Sequence, residues 1–179
     1  MTRTEVLTFW FHEIDPKRWF AADDAFDALV RDRFLAQLQQ AAAGELHHWR
    51  SSALGRLAEI IVLDQFSRNV HRGTPQAFAQ DVVALVLAQE AVASGALEAL
   101  DPVQRSFLLL PYMHSESPRI HALAEGLYRD HAPALNYEFE LKHKAIIDRF
   151  GRYPHRNAIL GRQSTAEELD FLSQPGSSF

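Results

Sequence analysis

Between Arg149 and Arg162 the chain carries four arginines, one histidine and no carboxylate, although its formal net charge is -5. Guanidinium groups grip phosphate or carboxylate through paired hydrogen bonds, and a histidine adds a donor that titrates near neutrality. Arg152, Arg156, Asn157 and Arg162, with His155 among them, are therefore candidates for holding an anionic group. The same arginines also suit a structural role, bridging helix C-terminal carbonyls and neighbouring carboxylates. Residue types alone leave both readings standing.

A second group is Asp64-Gln65-Phe66-Ser67-Arg68-Asn69, followed by Arg72. Asp64 and Arg68, at i and i+4, can pair along one helical face, and Arg72 follows one turn later if the helix continues. Two like charges at that spacing need an anion between them or carboxylates around them, and Asp81 is such a carboxylate. The group also reads as a buried polar network pinning one hairpin to another.

The third group is Pro111-Tyr112-Met113-His114-Ser115-Glu116. His114 and Glu116 invite an acid–base role, and His143 on a later helix can join them. At i and i+2 they cannot share a helical face, and no His-x3-His pair supports a metal, so no metal is expected. Ser115 lacks the Gly-flanked elbow of a nucleophile, and neither a Gly-x-Gly-x-x-Gly nor a phosphate-loop lysine is present. No cofactor is expected either. The catalytic candidates are His114, Glu116 and His155, whereas His12, His47, His48, His121 and His131 have no convergent company and are expected at the surface or an interface.

Positioning these groups falls to helices, because 3.6-residue spacing recurs throughout and Asn-Gly and Asp-Gly hairpin turns are absent. Thr2 and Glu5 form a capping box ahead of Val6, Phe9 and Trp10. Asp23 or Asp24 caps a second helix with Phe26, Leu29, Val30, Phe34 and Leu38 inward, ending near Gly44. Ser51 or Ser52 opens a third, with Leu54, Leu57, Ala58 and Ile61 on its stripe, that runs into the Asp64 group. Thr74-Pro75, Asp101-Pro102 and Ser117-Pro118 each pair a capping residue with a first-turn proline. They predict helices burying Phe78, Val82, Leu85 and Val86; then Val103, Phe107 and Leu110, broken at Pro111; then Ile120, Leu123, Ala124 and Leu127. A seventh helix from about Asn136 carries Leu141, Ile146, Ile147 and Phe150 and stops at Gly151. Thr165 and Glu168 box the last one, ahead of Leu169 and Leu172. The expected fold is all-α: about eight helices in antiparallel hairpins, as a bundle or short solenoid. No 34-residue repeat is legible.

Composition sets the outer bounds. The 179 residues are 47% hydrophobic and 23% charged, which predicts one helical domain over 1–179, with 173–179 as a frayed tail. The absence of cysteine excludes disulfides, thiolate metal sites and Cys nucleophiles. An acidic balance of 18 Lys+Arg against 23 Asp+Glu is the wrong sign for nucleic acid or anionic membranes. The longest apolar runs, Val82 to Ala88 and Ile60 to Leu63, fall far short of the roughly 20 residues of a membrane span. Glu5, His12 and Glu13 interrupt the apolar N-terminus, so no leader is expected and the location expected is cytoplasmic.

The Phe9-Trp10-Phe11 start, the Asp64 to Asn69 block, the His114-Ser115-Glu116 triplet and the Pro154-His155-Arg156-Asn157 block, in that order, resemble the family named domain of unknown function 924. Ser67 and Ala166 stand where relatives often carry proline. The resemblance implies an all-helical fold similar to tetratricopeptide-repeat proteins and brings no activity, substrate or cofactor. Three roles fit the residues. One is a scaffold whose cleft binds an anionic small molecule or acidic peptide through Asp64, Arg68, Arg72, His143, Arg152, Arg156, Asn157 and Arg162. Another is an enzyme in which His114 or His155 does acid–base work on a phosphorylated or carboxylated substrate. In the last, the motifs are purely structural. The three blocks should meet in one region, because helical hairpins return successive loops to the same end.

Overall fold

In the computed structural model, which describes residues 2–178, capping chemistry sets most of the helix starts. The Thr2–Glu5 box opens α1 (3–13). Asp23 accepts from the Ala25 and Phe26 amides at the start of α2 (Asp24–Ala42). Ser52 accepts from the Gly55 amide to begin α3 (53–70). The Asp101–Gln104 box begins α5 (Pro102–Met113), which follows α4 (Asp81–Ala93). Pro118 at the first turn begins α6 (Pro118–His131), α7 (Ala134–Phe150) stops at left-handed Gly151, and the Thr165–Glu168 box begins α8 (Ala166–Leu172). The described residues thus form an all-helical bundle, and no helix among them is long and apolar enough to cross a membrane.

α3 is the axis of the bundle, touching α1, α2, α4 and α5, and α5 in turn packs on α4, α6 and α7. Phe9, Trp10, Phe26, Phe34, Phe66 and Phe107 form one aromatic core between them; Trp10 meets Phe107 edge-on at 5.7 Å. Each such side chain contributes about 1.5–3 kcal/mol on burial. Residues 62–66 widen α3 into a π turn, and all five are buried. The wider turn lets Phe66 enter the aromatic core while Asp64 points toward α4 and α5, and such bulges recur at functional sites.

Several sequence expectations need correction. Thr74-Pro75 starts only a short 3-10 turn, Pro75–Phe78, and α4 itself begins at Asp81. Pro111 does not break α5: the helix continues to Met113, and the His114 amide closes the last turn on Leu110 O at 2.9 Å. A proline there removes one intrahelical donor, and the helix ends two residues later. Leu29, Leu54, Val82, Val86, Val103, Leu123, Leu141 and Leu169 are exposed rather than buried. In α4 the packed stripe is Ala84, Leu87, Ala88 and Ala91, where small side chains allow close helix approach. In α6, α7 and α8 the inward positions are taken by His121, Glu140, His143 and Glu168, so the neighbouring leucines turn outward by one helical step. Past α8, Ser177 is buried and its hydroxyl donates to Leu172 O; Phe179, the end of the tail expected to fray, lies outside the described residues.

Candidate functional site: an arginine-walled cleft

The three blocks meet around a cleft of about 330 Å³ walled by Phe78, Asp81, Val82, Leu85, Pro111, His114, Ser115, Glu116, Arg156 and Leu160, among others. Behind Asp81 and His114 of its wall lies an ion cluster. Asp64 Oδ1 lies 2.7 Å from His114 Nδ1 and accepts from Arg68 Nη1 at 3.2 Å, and Gln65 Nε2 donates to Asp64 Oδ2 at 2.6 Å. Arg68 also grips Asp81 through two bonds of 2.8 and 3.0 Å. One guanidinium therefore joins α3 to Asp81, the first residue of α4, and also pairs with Asp64, the carboxylate that holds the ring at the end of α5.

Burial would raise the Asp64 carboxyl, but the Arg68 charge and the His114 ring outweigh it and hold Asp64 well below the ordinary carboxylate range. Asp64 is thus ionised, and it can only accept from His114. The proton of the neutral ring accordingly sits on Nδ1, which leaves the Nε2 lone pair available. Burial and then the Arg68 charge push the His114 pKa down, favouring that neutral form.

The segment after Gly151 supplies the other wall. Tyr153 is buried; its hydroxyl donates to Met113 O and its amide to Glu116 Oε1 at 2.7 Å. Arg162 closes the loop by pairing with Glu116 through bonds of 2.6 and 2.9 Å and by donating to Tyr153 O. Asn157 Oδ1 accepts from Arg162 Nε at 2.9 Å. Held this way, the 3-10 turn Pro154–Arg156 carries Arg156 into the cleft wall. The Arg156 guanidinium carbon lies 4.7 Å from the Phe78 ring centre and 4.6 Å from that of Tyr153. The residue is 6% exposed, its Nε has no hydrogen-bond partner, and its ion pair to Asp81 is long at 3.3 Å. Burial and the nearby Arg68 charge lower its affinity for its proton. A buried arginine with such sparse pairing is unusual, since a buried charge ordinarily carries a full set of partners.

Other candidates lie outside the cleft. Arg72 pairs with Asp27 of α2, and Asn69 joins it there. Arg152 is clamped to Glu168 by bonds of 2.6 and 2.8 Å. His143 donates from Nδ1 to Phe139 O and lies edge-on to Tyr153. His155 packs on the Tyr153 ring. His121 corrects the surface expectation: it is fully buried, its Nε2 donates to Ser115 O at 2.8 Å, and its Nδ1 lies 2.7 Å from Glu140 Oε1. Burial raises the Glu140 carboxyl, with the His121 ring opposing it. Neither Phe78 nor Tyr153 is a site candidate by sequence, because an aromatic residue at helical spacing, like Phe78, reads as core, and Tyr153 reads as the anchor of its loop.

The buried histidines make stability pH-dependent. Burial, helped by the Arg156 charge, pushes His155 down to about 4, and burial pushes His143 down to about 3, against about 6.5 in an unfolded chain. Their contribution is present above pH 6.5 and falls as pH drops toward the folded values, because the unfolded chain binds protons the folded one refuses. Each costs about 1.4 kcal/mol per pH unit across that window. Urea unfolding between pH 6 and 5 should therefore show a slope shallower by about one proton in His155→Gln; equal slopes would contradict the assignment.

Comparison with known proteins matches residues 6–176 to the family of bacterial proteins of unknown function designated DUF924. A solved structure of a protein of unknown function from Agrobacterium tumefaciens is 37% identical, with a TM-score of 0.90 over 95% of this chain and 96% of that one. No curated protein matches. With the match covering nearly the whole chain whose three blocks meet around one cleft, the chain belongs to the DUF924 family.

Proposed function

We propose that the chain is a small-molecule binding protein whose ligand places a carboxylate or phosphate on Arg156. The sparsely paired, buried Arg156 guanidinium is the observation that carries this reading. The Phe78 and Tyr153 rings, 4.7 and 4.6 Å from its guanidinium carbon, confine the group, so an incoming anion loses little to its ordering. The cleft volume of about 330 Å³ is at the lower end of small-molecule sites, which span roughly 300–1,000 Å³, and favours a small molecule over a folded partner. Val82, Leu85, Pro111 and Leu160 line it as well, so the ligand has an apolar body beside its acidic group.

A catalytic role has one observation in its favour. Asp64 fixes the His114 ring through Nδ1 at 2.7 Å, and a neutral imidazole in a cleft wall is placed to take a proton from a bound molecule. Under this reading His114→Gln lowers turnover of an identified substrate by about 10² to 10⁴. Unchanged turnover in that variant would exclude it.

For the binding reading, thermal unfolding in the presence of inorganic phosphate, 4-methylpentanoate and other small carboxylates is the test. A ligand at 100 times its Kd adds about 2.7 kcal/mol, which for a chain of this size raises Tm by roughly 5–10 °C. The shift should vanish in Arg156→Met. No shift with any acid, or a shift that persists in the variant, would contradict it.

A further inference from the structure

Charge balance narrows the ligand class. The cluster opposes Arg68, Arg156 and Arg162 with Asp64, Asp81 and Glu116, so the formal charges cancel. An anion on Arg156 also arrives beside Asp81, whose Oδ2 is 3.3 Å from Arg156 Nη1, and beside Glu116, another cleft-wall carboxylate. Like charges at that spacing oppose its binding unless the ligand brings a compensating cation.

The wall has acceptors for one. A carboxylate offers about four lone-pair positions. Asp81 uses three, two for Arg68 and one for Arg156. Glu116 also uses three, for the Tyr153 amide and two Arg162 nitrogens. Each retains an acceptor position, and His114 Nε2 supplies a third acceptor. An ammonium group has three donors.

Building on the binding reading above, we propose that the ligand is a small zwitterion, a free apolar α-amino acid whose carboxylate takes Arg156 and whose ammonium takes the Asp81, Glu116 and His114 acceptors. Its side chain lies along Val82, Leu85, Pro111 and Leu160. A zwitterion enters a cluster of zero formal charge without upsetting its balance, whereas a simple anion or a simple amine leaves one set of cleft-wall charges opposed. A peptide end presents only one of the two charges at its terminus and is disfavoured for the same reason.

The test uses calorimetric titration of the full chain with L-leucine, L-valine and L-phenylalanine, against N-acetyl-L-leucine, L-leucinamide and 4-methylpentanoate. At least one free amino acid should bind about tenfold or more tightly than its one-charge analogues, as expected when a charged hydrogen-bonding group is deleted from a buried site. Arg156→Lys, which keeps the charge and loses the planar fork, should weaken that binding. If 4-methylpentanoate or N-acetyl-L-leucine binds as tightly as the free amino acids and depends on Arg156, the zwitterion assignment is overturned while the binding of acids stands. If no acid of either kind binds, including inorganic phosphate, both fall. The analogue series needs no variant to fold, so the comparison holds whatever Arg156→Lys does to stability.

Discussion

The Arg68 guanidinium holds this site together. Through Asp64 it fixes the His114 ring, and through Asp81 it ties α3 to the start of α4 and positions the carboxylate that Arg156 must share. Remove it, and two carboxylates stand in a largely buried cluster without their main counter-charge, a change that typically costs about 3–5 kcal/mol. Remove the whole cluster in favour of well-packed apolar residues, and the fold would lose little, because desolvation offsets most of what buried ion pairs gain. The aromatic core between α1, α2, α3 and α5 already holds the bundle. Stability alone therefore gives no reason for three arginines and three carboxylates to gather in and beside the wall of one small cleft.

The pairing within that cluster is uneven, and the unevenness matters. Arg162 and Arg152 each have a carboxylate gripped by two nitrogens. They build the loop and are spent on it. Arg156 sits deeper than either, between two rings, with one long ion pair and an unpartnered Nε. A purely structural arginine in that position would be expected to find its partners in the fold, since the polypeptide around it is rich in carbonyls. The π turn of α3 belongs to the same design, because it directs Asp64 to the site while leaving Phe66 in the core.

Much of this was legible from the residues. Local chemistry was read well: the capping residues Asp23, Asp101 and Thr165, the i, i+4 pair Asp64–Arg68, and Gly151 as a stop all depend on neighbours within a turn or two. Asp81 is legible as a partner for Arg68 because it is close in sequence and opposite in sign. Long-range partners were less accessible. Nothing near Arg72 announces Asp27, 45 positions away, and nothing near Arg152 singles out Glu168 over Glu167. His121 was misjudged for want of a partner, yet its spacing with Ala124 and Tyr128, and that of Glu140 with His143 and Ile147, places both on buried stripes. Polar residues on an apolar stripe carry that signal, and leucines one helical step away obscured it. Val82 and Val86 misled in the same manner, since hydrophobicity marks a face less surely than small size does where helices pack closely.

The claim on which the functional reading rests is that Arg156, the most deeply buried of the three arginines of the cluster, keeps hydrogen-bonding capacity for a ligand. Arginine side-chain NMR measures this directly: the Nε–Hε resonance that disappears in Arg156→Lys is followed while 4-methylpentanoate or L-leucine is titrated into the wild-type chain. A saturable shift of that resonance, larger than any shift of Arg68 or Arg162, is the expected result. A ligand that binds and leaves the Arg156 resonance unmoved would contradict the assignment.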